Sequence, residues 1–334
     1  MGWQLFASHL SRRAMLGATA VLAAGPVLAE DCGLGPAPHE KGAPVFMGMD
    51  QQELDASYNQ LAYEPLLSQI TKRLASNSEA MRARMGAPQR ESYGTSAAEG
   101  LDIYRTKQKN APIFVFIHAG AWLGGAAKDY GYPAEMFVNA GAHYVAVDFI
   151  AIKGAGGDLG VMAKQVRSAV AWVHKNAEKF GGDPAQLYVG GHSSGGHLCG
   201  VVLVTDWQKE FGLPPNIIKG GLCMSGMYEM KPVALSARRN YVKFTDAMED
   251  SMSAIRHIDQ LHAPITVTYG TFETPDFQRQ SREFAAAVKA AGKPVQLIEA
   301  PNYAHVEMCE SLGNPYGANG RAALEMMKLN FGRS

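Results

Sequence analysis

Gly191, Ser193 and Gly195 stand in the order G-x-S-x-G inside Leu187-Tyr188-Val189-Gly190-Gly191-His192-Ser193-Ser194-Gly195-Gly196-His197-Leu198. A short apolar run enters the pattern and a second one leaves it. A serine on a very sharp strand-to-helix turn is held with its hydroxyl exposed. The residues two before and two after it then crowd together and must lack a Cβ. The helix that follows aims its N-terminus at the serine. Its first N–H groups have no intrahelical acceptor and can stabilise an oxyanion. The chemistry this suits is nucleophilic attack on a carbonyl. A phosphate-binding loop is the competing reading. No Gly-Lys-Ser/Thr follows any glycine, and Gly154, Gly156, Gly157 and Gly160 do not make G-x-G-x-x-G, so both phosphate patterns fail.

A serine nucleophile needs a base, and the base needs a group to orient it. The chain order expected with this turn is serine, acid, histidine. Of the ten histidines only His305 lies after the apolar run Ile265–Tyr269, in the loop Pro301-Asn302-Tyr303-Ala304-His305. It is the expected base. His192 and His197 flank the serine and are expected to be structural. Gly270-Thr271-Phe272-Glu273-Thr274-Pro275-Asp276-Phe277 offers two carboxylates for the acid. Thr274 reads as an N-cap and Pro275 as the first helical residue. That puts Asp276 in the first helical turn, where the helix dipole favours a negative charge whatever the chemistry. Glu273 falls on the loop leaving the strand and is the expected acid, with Asp276 as the alternative. The rest of an oxyanion hole is expected from His118-Ala119-Gly120-Ala121-Trp122-Leu123-Gly124-Gly125, whose small residues let backbone N–H groups approach a substrate oxygen. Ala119, Gly120 and Ser194 are the expected donors. His118 and Trp122 are the expected substrate contacts.

Strands and helices must alternate to hold these residues. Leu101–Arg105, Pro112–Ile117, His143–Val147, Leu187–Val189, Ile217–Met224, Ile265–Tyr269 and Val295–Glu299 read as strands, mostly apolar enough to be buried on both faces. Met162, Val166, Ala169, Val170, Val173 and Ala177 share one helical face, as do Phe277, Phe284, Val288 and Ala291. A last helix is expected over residues 319–330. Such alternation predicts an α/β fold with a mostly parallel central sheet and helices on both faces. Before it, Asp50 and Glu53 make a capping box ahead of Leu54, Tyr58 and Leu61. Leu66, Leu67, Ile70 and Leu74 mark a second helix. These helices are expected to pack over the main domain, with Tyr58 in a packing role. The expected division is 30–100 for this arm and its helices and 101–334 for the main domain, with residues 232–262 as a cap insertion.

The motifs together carry a family resemblance. His118-Ala119-Gly120-Ala121-Trp122, the serine turn, Ser225-Gly226-Met227-Tyr228, Thr274-Pro275-Asp276-Phe277-Gln278-Arg279-Gln280-Ser281 and Glu53-Leu54-Asp55-Ala56-Ser57-Tyr58-Asn59 resemble α/β-hydrolases of the kynurenine formamidase (arylformamidase) and small carboxylesterase group. The resemblance spans most of residues 50–330. It implies the α/β-hydrolase fold, Ser193 as nucleophile, Glu273 as acid, His305 as base, and an oxyanion hole near Gly120 and Ser194. Ala119 replaces the usual first glycine of the loop, and Glu273 stands where many members have aspartate. The implied activity is cleavage of a small ester or activated amide through an acyl-enzyme. Arylformamidase action on N-formyl aryl amines and a non-catalytic binding role are the alternatives.

The bulk composition agrees. Of 334 residues 47% are hydrophobic and 19% charged, which supplies a large core. The formal charge is zero and no basic stripe stands out, so nucleic acid is not an expected partner. Ser11-Arg12-Arg13, an apolar run from Ala14 to Ala24 and Val27-Leu28-Ala29 read as a twin-arginine signal peptide over residues 1–29. That predicts a periplasmic or secreted protein with no membrane span after cleavage. Cys199 and Cys223 fall in apolar runs and are expected as buried thiols. A Cys32–Cys309 bridge is one of the pairings that four cysteines allow. No metal or other cofactor is expected.

Overall fold

The computed structural model describes residues 35–331. The expected twin-arginine signal, its expected cleavage point after Ala29, and Cys32 lie outside them. Eight strands make one sheet: β1 (Gln89–Ser92), β2 (Gly100–Tyr104), β3 (Ala111–Ile117), β4 (His143–Val147), β5 (Gly182–His192), β6 (Ile218–Met224), β7 (Ile265–Gly270) and β8 (Val295–Ala300). Their spatial order is β1-β2-β4-β3-β5-β6-β7-β8. β1 and β2 pair antiparallel with their neighbours, and from β4 to β8 every pairing is parallel.

Parallel strands need crossovers, and the crossovers cover both faces. The central strands therefore bury both sets of alternating side chains. Ile113, Val115 and Ile117 of β3 enter one core layer, while Phe114 and Phe116 enter the other. Phe114 stacks on Phe137 with centroids 4.6 Å apart. The sheet is preceded by α1 (Gln51–Ser57) and α2 (Leu67–Met85). Within it come α3 (Ala134–Asn139), α4 (Leu159–Asn176), α5 (Ser194–Leu203), α6 (Trp207–Phe211), α7 (Met230–Leu235), α8 (Asp246–Ser251) and α9 (Pro275–Ala290). α10 (His305–Glu310) and α11 (Ala318–Met326) close the chain. Met162, Val166, Ala169, Val170 and Val173 of α4 bury against the layer that holds α5 and α9. α2, α3 and α11 cover the other face.

Local chemistry sets the element ends. Asp50 accepts from the Glu53 N–H and Glu53 accepts from the Asp50 N–H, each at 2.9 Å, so the capping box forms. Thr274 caps α9 and Pro275 is its first residue. The sheet begins earlier than expected. β1 is solvent-facing along its length and lacks apolar alternation, and it forms because β2 offers it a free edge. β5 also begins five residues before Leu187. Among the described residues no helix is long and apolar enough to cross a membrane.

Candidate active site

Ser193 sits between the end of β5 and the start of α5, with φ 57° and ψ −122°. A non-glycine residue pays for such a backbone, and only a densely packed turn keeps it there. The packing is visible at the two glycines. A Cβ on Gly191 would lie 2.1 Å from the Gly195 carbonyl oxygen. One on Gly195 would lie 2.1 Å from that of Ile117. The turn therefore requires both glycines. The Ser193 N–H is anchored to the Met224 carbonyl at 3.0 Å, which ties the turn to the end of β6.

His305 opens α10 after the β8 loop, and its Nε2 is 2.8 Å from Ser193 Oγ. Its Nδ1 is 2.7 Å from Glu273 Oε2. A carboxylate can only accept, so Nδ1 carries the proton and Nε2 is left to accept from the serine hydroxyl. Glu273 lies on the loop after β7. Its other oxygen accepts from the Ser225 hydroxyl at 2.6 Å and the Gly270 N–H at 2.7 Å. All three residues are buried. An imidazole so held can take the serine proton as the hydroxyl attacks a carbonyl. The extra methylene of glutamate is accommodated because both oxygens are pinned.

The other carboxylate is elsewhere. Asp276 is buried at the first turn of α9, bonded to the Tyr58 hydroxyl and to Arg279 Nε at 2.7 Å. It is part of a packed polar network, and the helix dipole is only one of its partners. Tyr58 packs as expected, with its ring 5.9 Å from that of Phe277, and it also forms part of the cavity wall.

Ala119, Gly120 and Ala121 line the cavity above Ser193. Among the described residues their N–H groups have no protein acceptor in the turns and loops. Gly120 has φ 132°, and a Cβ there would meet the Gly124 carbonyl at 2.1 Å. Ser194 is the first residue of α5, so its N–H has no intrahelical acceptor. The expectation for His118 and Trp122 is corrected: neither lines the cavity. His118 is stacked on Phe149 at 4.2 Å and its Nδ1 is 2.8 Å from the Ala119 carbonyl oxygen. Burial holds its pKa below the usual range. Trp122 packs edge-on against His197 in the core. Both support the loop from behind, because their bulk fills the space under it.

Ser225 and Glu64 were not assigned from sequence, and His192, expected to be structural, supports His305. Ser225 anchors Glu273; its place at the end of β6 was a usable signal, since ligands gather at the carboxyl ends of parallel strands. His192 donates Nε2–H to the His305 carbonyl at 2.8 Å, and its ring lies 4.6 Å from that of His305. Burial first, and repulsion by His305 second, keep its pKa well below the usual range. Glu64 accepts from the Val306 N–H at 3.0 Å and so holds the start of α10; burial raises its pKa. The cavity over Ser193 is about 350 Å³, and α2 and the turn between α1 and α2 supply one wall through Tyr58, Leu61, Leu67 and Leu74. That volume suits a small ligand. Cys309 also lines it, with its thiol pushed up to about 12 by burial. Cys199 and Cys223 are buried free thiols.

Residues 101–218 match the BD-FAE family. The chain is 30% identical over 281 residues to a kynurenine formamidase of Danio rerio, covering 80% of this chain and 93% of the relative. It is 26% identical over 236 residues to the esterase LipC of Mycobacterium tuberculosis, covering 67% of this chain and 58% of the relative. Among solved structures, esterase LipW of Mycobacterium marinum superposes with a TM-score of 0.62 at 18% identity, covering 80% of this chain and 88% of that one. An esterase of Thermogutta terrifontis gives 0.56 at 20% identity, covering 73% and 91%. The two structural likenesses carry the fold and the Danio rerio relative carries the family. The chain belongs to the kynurenine formamidase family, in the formamidase and esterase group of α/β-hydrolases.

Proposed function

We propose that this protein is an exported serine hydrolase that cleaves a small ester or activated amide through an acyl-enzyme. The observation that carries the reading is the unbroken hydrogen-bonded series Ser193–His305–Glu273 at the floor of the cavity. Ser193 Oγ attacks the carbonyl carbon while its proton moves to His305 Nε2. Glu273 holds the imidazolium that forms. The N–H groups of Ala119, Gly120 and Ser194 receive the oxyanion. The leaving group departs with the proton from Nε2. Water then attacks the acyl carbon, passes a proton to Nε2, and releases the acid and free Ser193.

Formamidase action on N-formyl aryl amines is the second reading, favoured by the likeness to the Danio rerio protein. A screen of aryl esters of rising acyl length beside N-formyl anilides separates the two. A fluorophosphonate tests the mechanism. It is expected to label the wild-type chain on Ser193 and leave Ser193→Ala unlabelled. Labelling elsewhere, or turnover by Ser193→Ala at wild-type rates, rules the mechanism out. Export rests on Ser11-Arg12-Arg13 and the run behind it.

A further inference from the structure

Arg238 lies in the short helical turn Ala237–Asn240 and lines the cavity that holds Ser193. It is only 6% exposed. A buried guanidinium is normally paired with a carboxylate, because taking a charge out of water without a counter-charge is costly. Arg238 has no such pair among the described residues. Its Nη1 donates to the Tyr241 hydroxyl at 2.8 Å and its Nη2 to the Tyr58 carbonyl at 3.2 Å, both neutral acceptors. Its remaining neighbours are the rings of Trp122 and Tyr58, 5.2 and 5.9 Å from Cζ. Asp55 lines an adjoining outer cleft with Arg238, yet it accepts from the Ala237 N–H and the Gln51 amide instead. Asp276 is taken by Tyr58 and Arg279. Buried Nε has no partner at all.

The arrangement leaves a fixed positive charge in the wall of a small and otherwise largely apolar cavity, and one donor of that guanidinium without a partner. Nε–H and the neighbouring Nη hydrogens form the edge that a carboxylate takes with two parallel hydrogen bonds. The neutral ring contacts and two neutral acceptors hold the guanidinium in place without quenching it. We propose that Arg238 receives a free carboxylate on the substrate, so that this site favours esters or amides that carry an anionic group beside the scissile bond. The proposal rests on the hydrolase reading and names its substrate class.

The test uses the full chain and matched neutral and anionic substrates. Acetoxybenzoates and the corresponding acetoxybenzamides share an acyl group and a shape and differ in charge. The wild type is expected to show at least a tenfold higher kcat/KM for one acetoxybenzoate isomer than for its amide, mainly through KM. In Arg238→Gln that preference is expected to collapse towards unity, and in Arg238→Lys to survive in part. Preference for the amide at every ring position, or a preference unchanged in Arg238→Gln, overturns the proposal. Should Arg238→Gln fold poorly, the wild type alone decides. Benzoate is expected to raise its melting temperature and to compete with phenyl acetate at tenfold lower concentration than benzamide, and equal effects overturn the proposal. Absence of phenyl acetate turnover and of fluorophosphonate labelling would instead sink the hydrolase reading. The comparison of benzoate with benzamide by melting temperature still tests the anion site in that case.

Discussion

Replacing Glu273 by Gln changes one oxygen to an amide nitrogen and removes a charge, and the surroundings dictate how the amide must sit. One Glu273 oxygen receives the Gly270 N–H at 2.7 Å and the Ser225 hydroxyl at 2.6 Å. The backbone donor cannot rotate away, so the amide oxygen of Gln must take that side. Its NH2 then faces His305 Nδ1, where it can only donate. Nδ1 must become the acceptor, and the imidazole proton moves to Nε2. In that tautomer Nε2 no longer accepts from Ser193. The counter-charge for the imidazolium is lost as well. The same substitution in other triads costs about 10⁴-fold in kcat, which is about 5.4 kcal/mol of barrier. Folding should suffer little, since the Gly270 and Ser225 bonds survive. The assay is kcat on phenyl acetate beside the melting temperature of each variant. Glu273→Asp is the companion. It keeps charge and tautomer but falls short by one methylene, roughly 1.5 Å, and is expected to lose less than Glu273→Gln. Retention of more than a tenth of wild-type kcat by Glu273→Gln, in a protein of normal stability, would refute the tautomer argument.

Ser193→Ala is expected to lower kcat by about 10⁴-fold or more with no fall in the urea midpoint. Asp276→Asn is expected to act on stability: it strips Arg279 of its buried partner and disturbs the Tyr58 bond, costing about 3 kcal/mol in urea unfolding. A loss below about 1 kcal/mol would return Asp276 to a simple helix-dipole role. Burial pushes His197 down to about 4 from 6.5, so between those values the unfolded chain binds a proton that the folded chain refuses. Stability therefore falls as pH drops through that window, by on the order of 3 kcal/mol in total, and His197→Gln is expected to flatten the fall in urea midpoints measured at successive pH values. Replacing Arg12 and Arg13 by Lys is expected to leave precursor in the cytoplasm. Mature material that does not begin at Glu30 by mass spectrometry would count against cleavage there.

The serine turn was legible because its sterics demand particular residues: Gly191 and Gly195 are where a Cβ would strike a carbonyl. The central strands were legible because double-sided burial leaves continuous apolar runs such as Pro112–Ile117. The choice of Glu273 over Asp276 followed from Thr274 and Pro275, whose capping chemistry is local. The missed features depend on distant partners. Gln89–Ser92 has no strand pattern of its own and is held by the edge of β2. His118 and Trp122 carried the right types for contact with a ligand, yet the loop turns their bulk into the core. Nothing around Arg238 in the chain announces a cavity wall, since its neighbours there arrive from Tyr58 and Trp122. The weight of Asp276 was underestimated for the same reason, its main partner being the Tyr58 hydroxyl 218 residues away.

The ties between the leading segment and the rest of the chain also set the order in which the protein can be completed during synthesis. Tyr58 meets Arg238 across 180 residues, Ser57 meets Thr274 across 217, and Glu64 meets Val306 across 242. The first wall of the cavity to leave the ribosome therefore gains its last ties only near the end of synthesis. α2 finds its first partners early, in Tyr104, Tyr130 and Phe137, but the tie from Glu64 waits until Val306 emerges. A chain halted after β6 would already own Ser193 but neither Glu273 nor His305. Closing loops of this length adds little equilibrium cost per residue, but such long-range contacts form slowly. On the proposed mechanism the nascent chain lacks its base until His305 emerges, and passes through most of its synthesis catalytically silent.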